Sequence, residues 1–149
     1  MPRQYAQSCP VAKSLELVGE RWTLLIVRDL LARPRRFRDL QESLSGIAPN
    51  ILSERLKLME EHGLIRRIFY SEHPPRASYE LTDKGRELGV VIGALAAWGS
   101  RHVHRGTALV HGEHAHPVQL GYFCSDCGAR VRGASVKLGR ARPTSARRA

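Results

Sequence analysis

By type and spacing, three cysteines and a histidine cluster are the residues here best suited to chemistry. Cys124 and Cys127 lie in GYFCSDCG, a Cys-x-x-Cys followed at once by Gly128. Backbone amides in such a turn can support thiolates on a tetrahedral zinc ion. A closed site needs two more ligands, and His111, His114 and His116 in VHGEHAHP are the nearest supply, at a spacing that matches no standard zinc signature. A thiol oxidoreductase using Cys124 and Cys127 is a rival reading, but no strand–helix–strand context of the thioredoxin kind surrounds them. Cys9 stands before Pro10, at the expected N-cap of a first helix, where the helix dipole favours the thiolate. That place makes it a candidate reactive thiol; the plainer alternative is a half-buried structural thiol. The odd cysteine count argues against a disulfide framework. No phosphate-binding glycine loop and no credible catalytic triad is found, so an enzyme is not expected.

A second kind of chemistry is written in GIAPNILSERLKLMEEHGLI, residues 46–65. At 100° per residue, Ile51, Leu52, Leu56, Leu58 and Met59 fall on one arc, and Asn50, Ser53, Glu54 and Lys57 fall opposite. A helix entering a DNA major groove needs such an apolar back, with short polar residues at its N-terminal turns to reach base edges. Asn50 and Ser53 suit base contact, Lys57 a base or a phosphate, and Glu54 a cytosine amino group. Pro49 starts this helix, and Gly46 allows the sharp turn before it. Arg55 falls within the apolar arc and is expected to lie beside the core, paired with a carboxylate.

These residues need elements to hold them. Pro10 to Val18 predicts a short helix after a frayed segment 1–8, and Arg21 to Ala32 predicts a central buried helix stopped at Arg33-Pro34. Arg35, Arg36 and Arg38 are read at the start of a supporting helix running to about Leu44, as phosphate clamps. LIRRIFY and ASYEL predict paired strands around the loop SEHPPR, where His73 and Arg76 flank two prolines and Arg76 can enter the minor groove. Thr82 should cap one long helix through about His104. Along it Gly85, Gly89, Gly93 and Ala97 recur every four residues. Glycine inside a helix costs ~1 kcal/mol, so this ridge is read as the contact with a second subunit. The expected fold is mainly α with a small β-hairpin wing: a dimeric winged helix-turn-helix with a C-terminal Cys/His-containing extension. The expected limits are 1–105 for the DNA-binding and dimerisation domain, 106–136 for the extension and 137–149 for a basic disordered tail.

The stretch from Cys9 to His104 resembles the HxlR family of bacterial winged-helix regulators. Its most specific pieces are the Cys-Pro opening, ERWTLLIVRDL, ILSERLKLMEEHGLI and PPRASYELTDKG. The resemblance implies a homodimer on an inverted-repeat operator of double-stranded DNA, with the first and last helices at the interface. It also implies repression or activation near the binding site, often in answer to a reactive small molecule, which members sense through a cysteine at the position of Cys9. It says nothing secure about the extension.

Composition agrees with a polyanionic partner but tempers the inference. The net charge is +10, yet seven of the 24 basic residues lie from Gly128 onward with no acid among them. The remainder is only mildly basic. The tail alone would also suit a basic RNA- or ribosome-associated protein with a zinc knuckle, the other rival reading. No run approaches the roughly 18 apolar residues of a membrane span, and the N-terminus lacks the apolar centre of a signal peptide. A cytoplasmic protein without membrane contact is expected.

Overall fold

The computed structural model describes residues 5–72, 75–107 and 109–140. Contacts divide the chain into two units that meet at Ile92/Gly93, ahead of the composition shift near Gly106. In the first unit the order is α1 (Pro10–Val18), α2 (Thr23–Ala32), β1 (Arg35–Arg36), α3 (Phe37–Ser43), α4 (Pro49–Glu61), β2 (Ile65–Glu72), β3 (Pro75–Leu81) and α5 (Asp83–Arg86). A last helix, α6 (Gly89–His102), runs across the division. Residues 93–140 add β4 (Tyr122–Phe123), β5 (Arg130–Val131) and a 3-10 turn at Gly133–Ser135. No helix among the described residues is long and apolar enough to cross a membrane.

The core forms where the apolar arcs of α2, α3 and α4 meet the base of the hairpin. Ile26, Val27 and Leu30 of α2, Leu40 of α3, and Leu52, Leu56 and Met59 of α4 are buried with Leu64, Ile65 and Leu81. Each such side chain contributes roughly 1.5–3 kcal/mol by leaving water. Helix α2 begins at Thr23 rather than Arg21, because Trp22 takes the left-handed conformation at φ 82°. Its carbonyl still accepts the first helical bond, from the Ile26 amide at 2.8 Å. At the other end Arg33 is extended, as the residue before a proline must be.

That extension carries on through the next two residues. Arg35 and Arg36 do not open the supporting helix as expected. They form β1, which pairs with β3 at Arg35↔Tyr79 and Arg36↔Ser78 and makes the sheet three-stranded, in the order β1-β3-β2. Helix α3 starts only at Phe37, with the Arg36 amide donating to the Asp39 carboxylate at 3.0 Å. The hairpin also reaches further than expected. Ile65 to Phe69 pairs with Leu81 to Ala77, the register slips around Tyr70, and Ser71 then faces Arg76. His73, read as a wing contact, lies outside the described residues, as do residues 141–149 of the basic tail.

The long helix expected after Thr82 is broken. The Thr82 hydroxyl caps it, accepting from the Gly85 amide at 3.2 Å, but α5 ends at Arg86 and α6 begins at Gly89. The glycine ridge dissolves with it. A Cβ on Gly85 would stand 2.0 Å from the Leu64 carbonyl oxygen, so this glycine answers to its own chain and not to a second subunit. Gly89 faces Leu31, Gly93 faces Leu120, and Ala97 is half-buried. Helix α6 instead exposes its apolar residues: Val90 is 69% accessible, Leu95 50% and Trp98 55%, and no residue of the helix is buried. At the other end of the chain Tyr5 is held rather than frayed. Its amide donates to Glu16 at 2.8 Å, and Lys13 donates to its carbonyl at 3.1 Å. The Lys13 ammonium and that amide keep the Glu16 carboxyl below its usual range.

Gly85→Ala is expected to lower folding stability by about 1–3 kcal/mol, because the blocking atoms are the Leu64 backbone, which cannot swing aside as a side chain can. Gly89→Ala, with only a flexible leucine tip at 3.4 Å, should be neutral or slightly stabilising. Denaturant melts of the two variants check the contrast.

Candidate nucleic-acid interface

Helix α4 has the two faces its sequence predicts. It starts at Pro49 after an extended Ala48, and Gly46 makes the turn before it at φ 91°. Leu52, Leu56 and Met59 are buried, with Ile51 and Leu58 half-buried beside them. Pro49, Asn50, Ser53, Glu54 and Lys57 are exposed on the other side. Side-chain bonds divide this face. Glu54 accepts from Arg55 at 3.0 Å and Lys57 stands 3.8 Å from Glu61 across a turn, whereas Asn50 and Ser53 bond no side chain among the described residues. The N-terminal turns therefore offer donors and acceptors without first breaking an internal pair.

Arg55 lies where its angle puts it. Its side chain is 15% exposed and sits between Glu54 and Glu20, the latter at 3.7 Å. A half-buried guanidinium held between two carboxylates is positioned to support α4 rather than to reach a base.

The three arginines expected to act alike have separate surroundings. Arg35 is half-buried, and its Nε is out of reach of water without a hydrogen-bond partner. Arg36 is exposed and lies over the Tyr70 ring, 4.8 Å from its centroid. Arg38 projects most, at 87% exposure, in an i,i+4 pair with Glu42 at 2.8 Å. A pair that exposed is weak, so the guanidinium can trade Glu42 for a phosphate at little cost. Arg38 and Arg36 thus remain available to a polyanion, while Arg35 is a structural residue of β1.

In the wing, Arg76 is exposed near the tip of β3. The stem is braced by charge: Arg66 pairs across the strands with Glu80, and Arg67 reaches Glu60 of α4 at 3.1 Å while lying over Tyr79. The brace between Arg67 and Glu60, the Arg36–Tyr70 stack and the bond from Lys84 to the His62 carbonyl at 2.7 Å all position this surface, and none was read from the sequence. Each joins segments whose proximity only the sheet register reveals.

The candidate sensing and metal residues lie elsewhere. Cys9 is half-buried and extended just before Pro10, and its carbonyl accepts the first α1 bond from Lys13 at 2.9 Å. Cys124 is half-buried and Cys127 exposed. The amide and thiol of Cys127, followed by the Asp126 amide, hold the Cys124 thiol below its usual range. His111 and His114 stack at 5.2 Å, with His116 beside them. Among the described residues, the ligand atoms gathered within 4.8 Å of one another are those of His111, Glu113 and His114. Histidines and cysteines are therefore not drawn into one cluster of five.

The likeness to known proteins covers helix α4, the wing and the elements that hold them. The model of the HxlR-like helix-turn-helix family matches residues 17–107. An HTH-type transcriptional regulator of Mycobacterium tuberculosis, Rv3095, is 41% identical over 133 residues, covering 85% of this chain and 82% of its own length. The crystal structure of PA1607, a candidate transcription factor, superposes with a TM-score of 0.77 at 34% identity, over 91% of this chain and 97% of that one. The redox regulator HypR in its oxidised form superposes at 0.60 with 26% identity, over 66% of this chain and all of its own. The chain therefore belongs to the HxlR-like helix-turn-helix family, whose members are DNA-binding transcriptional regulators.

Proposed function

We propose that the protein reads an inverted-repeat operator as a homodimer. Asn50, Ser53 and Lys57 of each α4 enter a major groove, with Arg76 of the wing in the neighbouring minor groove and Arg36 and Arg38 on phosphates. The carrying observation is the division of α4 into a buried apolar back and an exposed N-terminal polar face on which Asn50 and Ser53 bond no side chain among the described residues. Base readout needs donors and acceptors that can reach base edges and are not committed to partners within the protein. Glu54 takes a lesser part, since Arg55 holds its carboxylate.

Support for the dimer comes from exposed apolar surface, not from the glycines. Val90, Val91, Leu95 and Trp98 on α6, with Val11 and Leu15 on α1, lie open in the single chain. A helix of this length with no buried side chain is marginal alone and gains most from a partner face. Support for a thiol signal at Cys9 is its place before α1 together with the likeness to the redox regulator HypR. Its oxidation or alkylation would alter the first turn of α1 and, through it, the spacing of the two reading heads.

Sequencing of genomic fragments captured by the purified protein should return a shared inverted repeat; fragments without one, or preferential capture of structured RNA, would overturn the reading. On a recovered site, Lys57→Ala and Arg76→Ala should each weaken binding roughly tenfold or more with the melting temperature unchanged. Arg55→Ala should do the reverse, lowering the melting temperature first. Leu95→Glu combined with Trp98→Glu should give monomers in sedimentation; a doubly substituted protein that stays dimeric places the interface elsewhere. Cys9→Ser should bind DNA normally but lose any response to a thiol oxidant, and an unchanged response removes Cys9 as the sensor.

A further inference from the structure

Two loops in residues 109–131 are built on one backbone plan. In the first, the His111 amide donates to the His116 carbonyl at 2.9 Å, and the Ala115 amide donates back to the His111 carbonyl at 2.8 Å. In the second, the Cys124 amide donates to the Ala129 carbonyl at 3.0 Å, and the Gly128 amide donates back to the Cys124 carbonyl at 2.9 Å. Both loops thus bond the first residue forward to the sixth and the fifth back to the first. The fifth residue has positive φ in each, 53° at Ala115 and 70° at Gly128. The flanks agree as well. Val110 bridges Pro117 as Phe123 pairs with Arg130, and Val118 bonds Leu109 as Val131 pairs with Tyr122.

Ala115 sharpens the parallel. Left-handed backbone is disfavoured for alanine, and a chain holds it only where the rest of the turn requires that shape. The histidine loop therefore takes the shape of the Cys-x-x-Cys-Gly loop despite lacking its glycine. Position by position, His111 corresponds to Cys124 and His114 to Cys127, while His116 falls where Ala129 stands.

The segment also needs something to hold it. Among the described residues from 103 to 140 no side chain is buried, yet two hairpin-like loops keep a common register. A β segment of this size without a core needs a metal, a cross-link or packing on another element, and the packing seen here is that of Leu109 and Leu120 at Gly93 of α6. A Cys124–Cys127 disulfide would close only its own loop and would leave the histidine loop unattached.

We propose that the two loops are the two halves of one Cys2His2 site for zinc(II), with His111 and His114 supplied by the first and Cys124 and Cys127 by the second. Two thiolates and two imidazoles in tetrahedral array suit a d10 divalent cation. Binding releases the two thiol protons and leaves four bonds from protein to metal. The sulfurs are not among the ligand atoms lying within 4.8 Å of one another, so binding turns the stacked imidazoles off each other and onto the ion. His116 and Glu113 are not ligands. The metal would fasten the extension into a small ribbon whose two strand pairs move as one body.

The test uses the full chain, reduced, stripped with a chelator and titrated with cobalt(II), then with zinc(II). One cobalt per chain is expected, with tetrahedral d–d bands and charge-transfer absorption for two thiolates, all abolished by zinc. X-ray absorption of the zinc form should show two sulfur and two nitrogen neighbours. Cys124→Ser, Cys127→Ser, His111→Ala and His114→Ala should each weaken zinc binding by roughly a hundredfold or more, whereas His116→Ala and Glu113→Gln should bind as the parent does. A four-sulfur signature, which would mean two chains sharing the ion, overturns the proposal. So does absorption without thiolate character, retention of full affinity in the His111 and His114 variants, or no binding. The parent's spectra decide the ligand set even where a variant fails to fold.

Discussion

Where α4 ends, four backbone carbonyls and one threonine decide how the rest of the DNA-binding unit is held. Gly63 turns the chain at φ 67°, and the Leu64 amide bonds back to Met59 at 2.8 Å. The Thr82 hydroxyl then donates to the Gly63 carbonyl at 2.6 Å while its amide donates to Leu64 at 3.1 Å. Lys84 reaches the His62 carbonyl, and Gly85 packs flat on that of Leu64. Met59 and His62 belong to the end of the helix, whose last carbonyls lack helical partners, while Gly63 and Leu64 are the first residues beyond it. By bonding the His62, Gly63 and Leu64 carbonyls from the far side of the hairpin, Thr82 and Lys84 fix the end of α4, both stems of the wing and the start of α5 at one corner. Helix α4 and the wing therefore keep one mutual angle, as the proposed contact with adjacent grooves would require.

The charges are arranged around that corner in two ranks. Arg55, Arg66 and Arg67 are consumed internally, by Glu54 and Glu20, by Glu80 and by Glu60 respectively. They stiffen the frame and neutralise carboxylates that would otherwise repel a phosphate backbone. Arg36, Arg38, Lys57 and Arg76 stand outward, held by nothing stronger than a ring face or a solvent-exposed ion pair. A mild net charge on this unit is thus compatible with local attraction, because Arg55, Arg66 and Arg67 do structural work while these four face outward.

How much of this was legible depended on the range of the interaction. The reading helix could be placed from its own residues: Pro49 and Gly63 bound it, and the apolar period from Ile51 to Met59 fixes its back, which in turn sets Arg55 apart from Lys57. Thr82 as a cap and the Cys124 turn are equally local. Arg35 and Arg36 could not be read, since a two-residue strand has no period and exists only through its pairing with Ser78 and Tyr79. The four-residue glycine spacing failed for a related reason: it marks a close approach but does not say by which backbone, and Gly85 meets Leu64. The break between α5 and α6 left no proline to announce it. In the extension, the histidine loop hid its kinship to the cysteine loop behind an alanine where a glycine would have been the signal.

The order β1-β3-β2 leaves β2 at the rim of the sheet, with an unpaired edge of main-chain donors and acceptors among the described residues. Such rims invite a foreign strand to add on, the first step of aggregation. Here the rim strand carries Arg66 and Arg67 at its base, and its register slips near Tyr70. An incoming strand would have to displace these paired arginines, and the irregularity denies it a continuous ladder. The wing can therefore jut into solvent without becoming a nucleus for self-association.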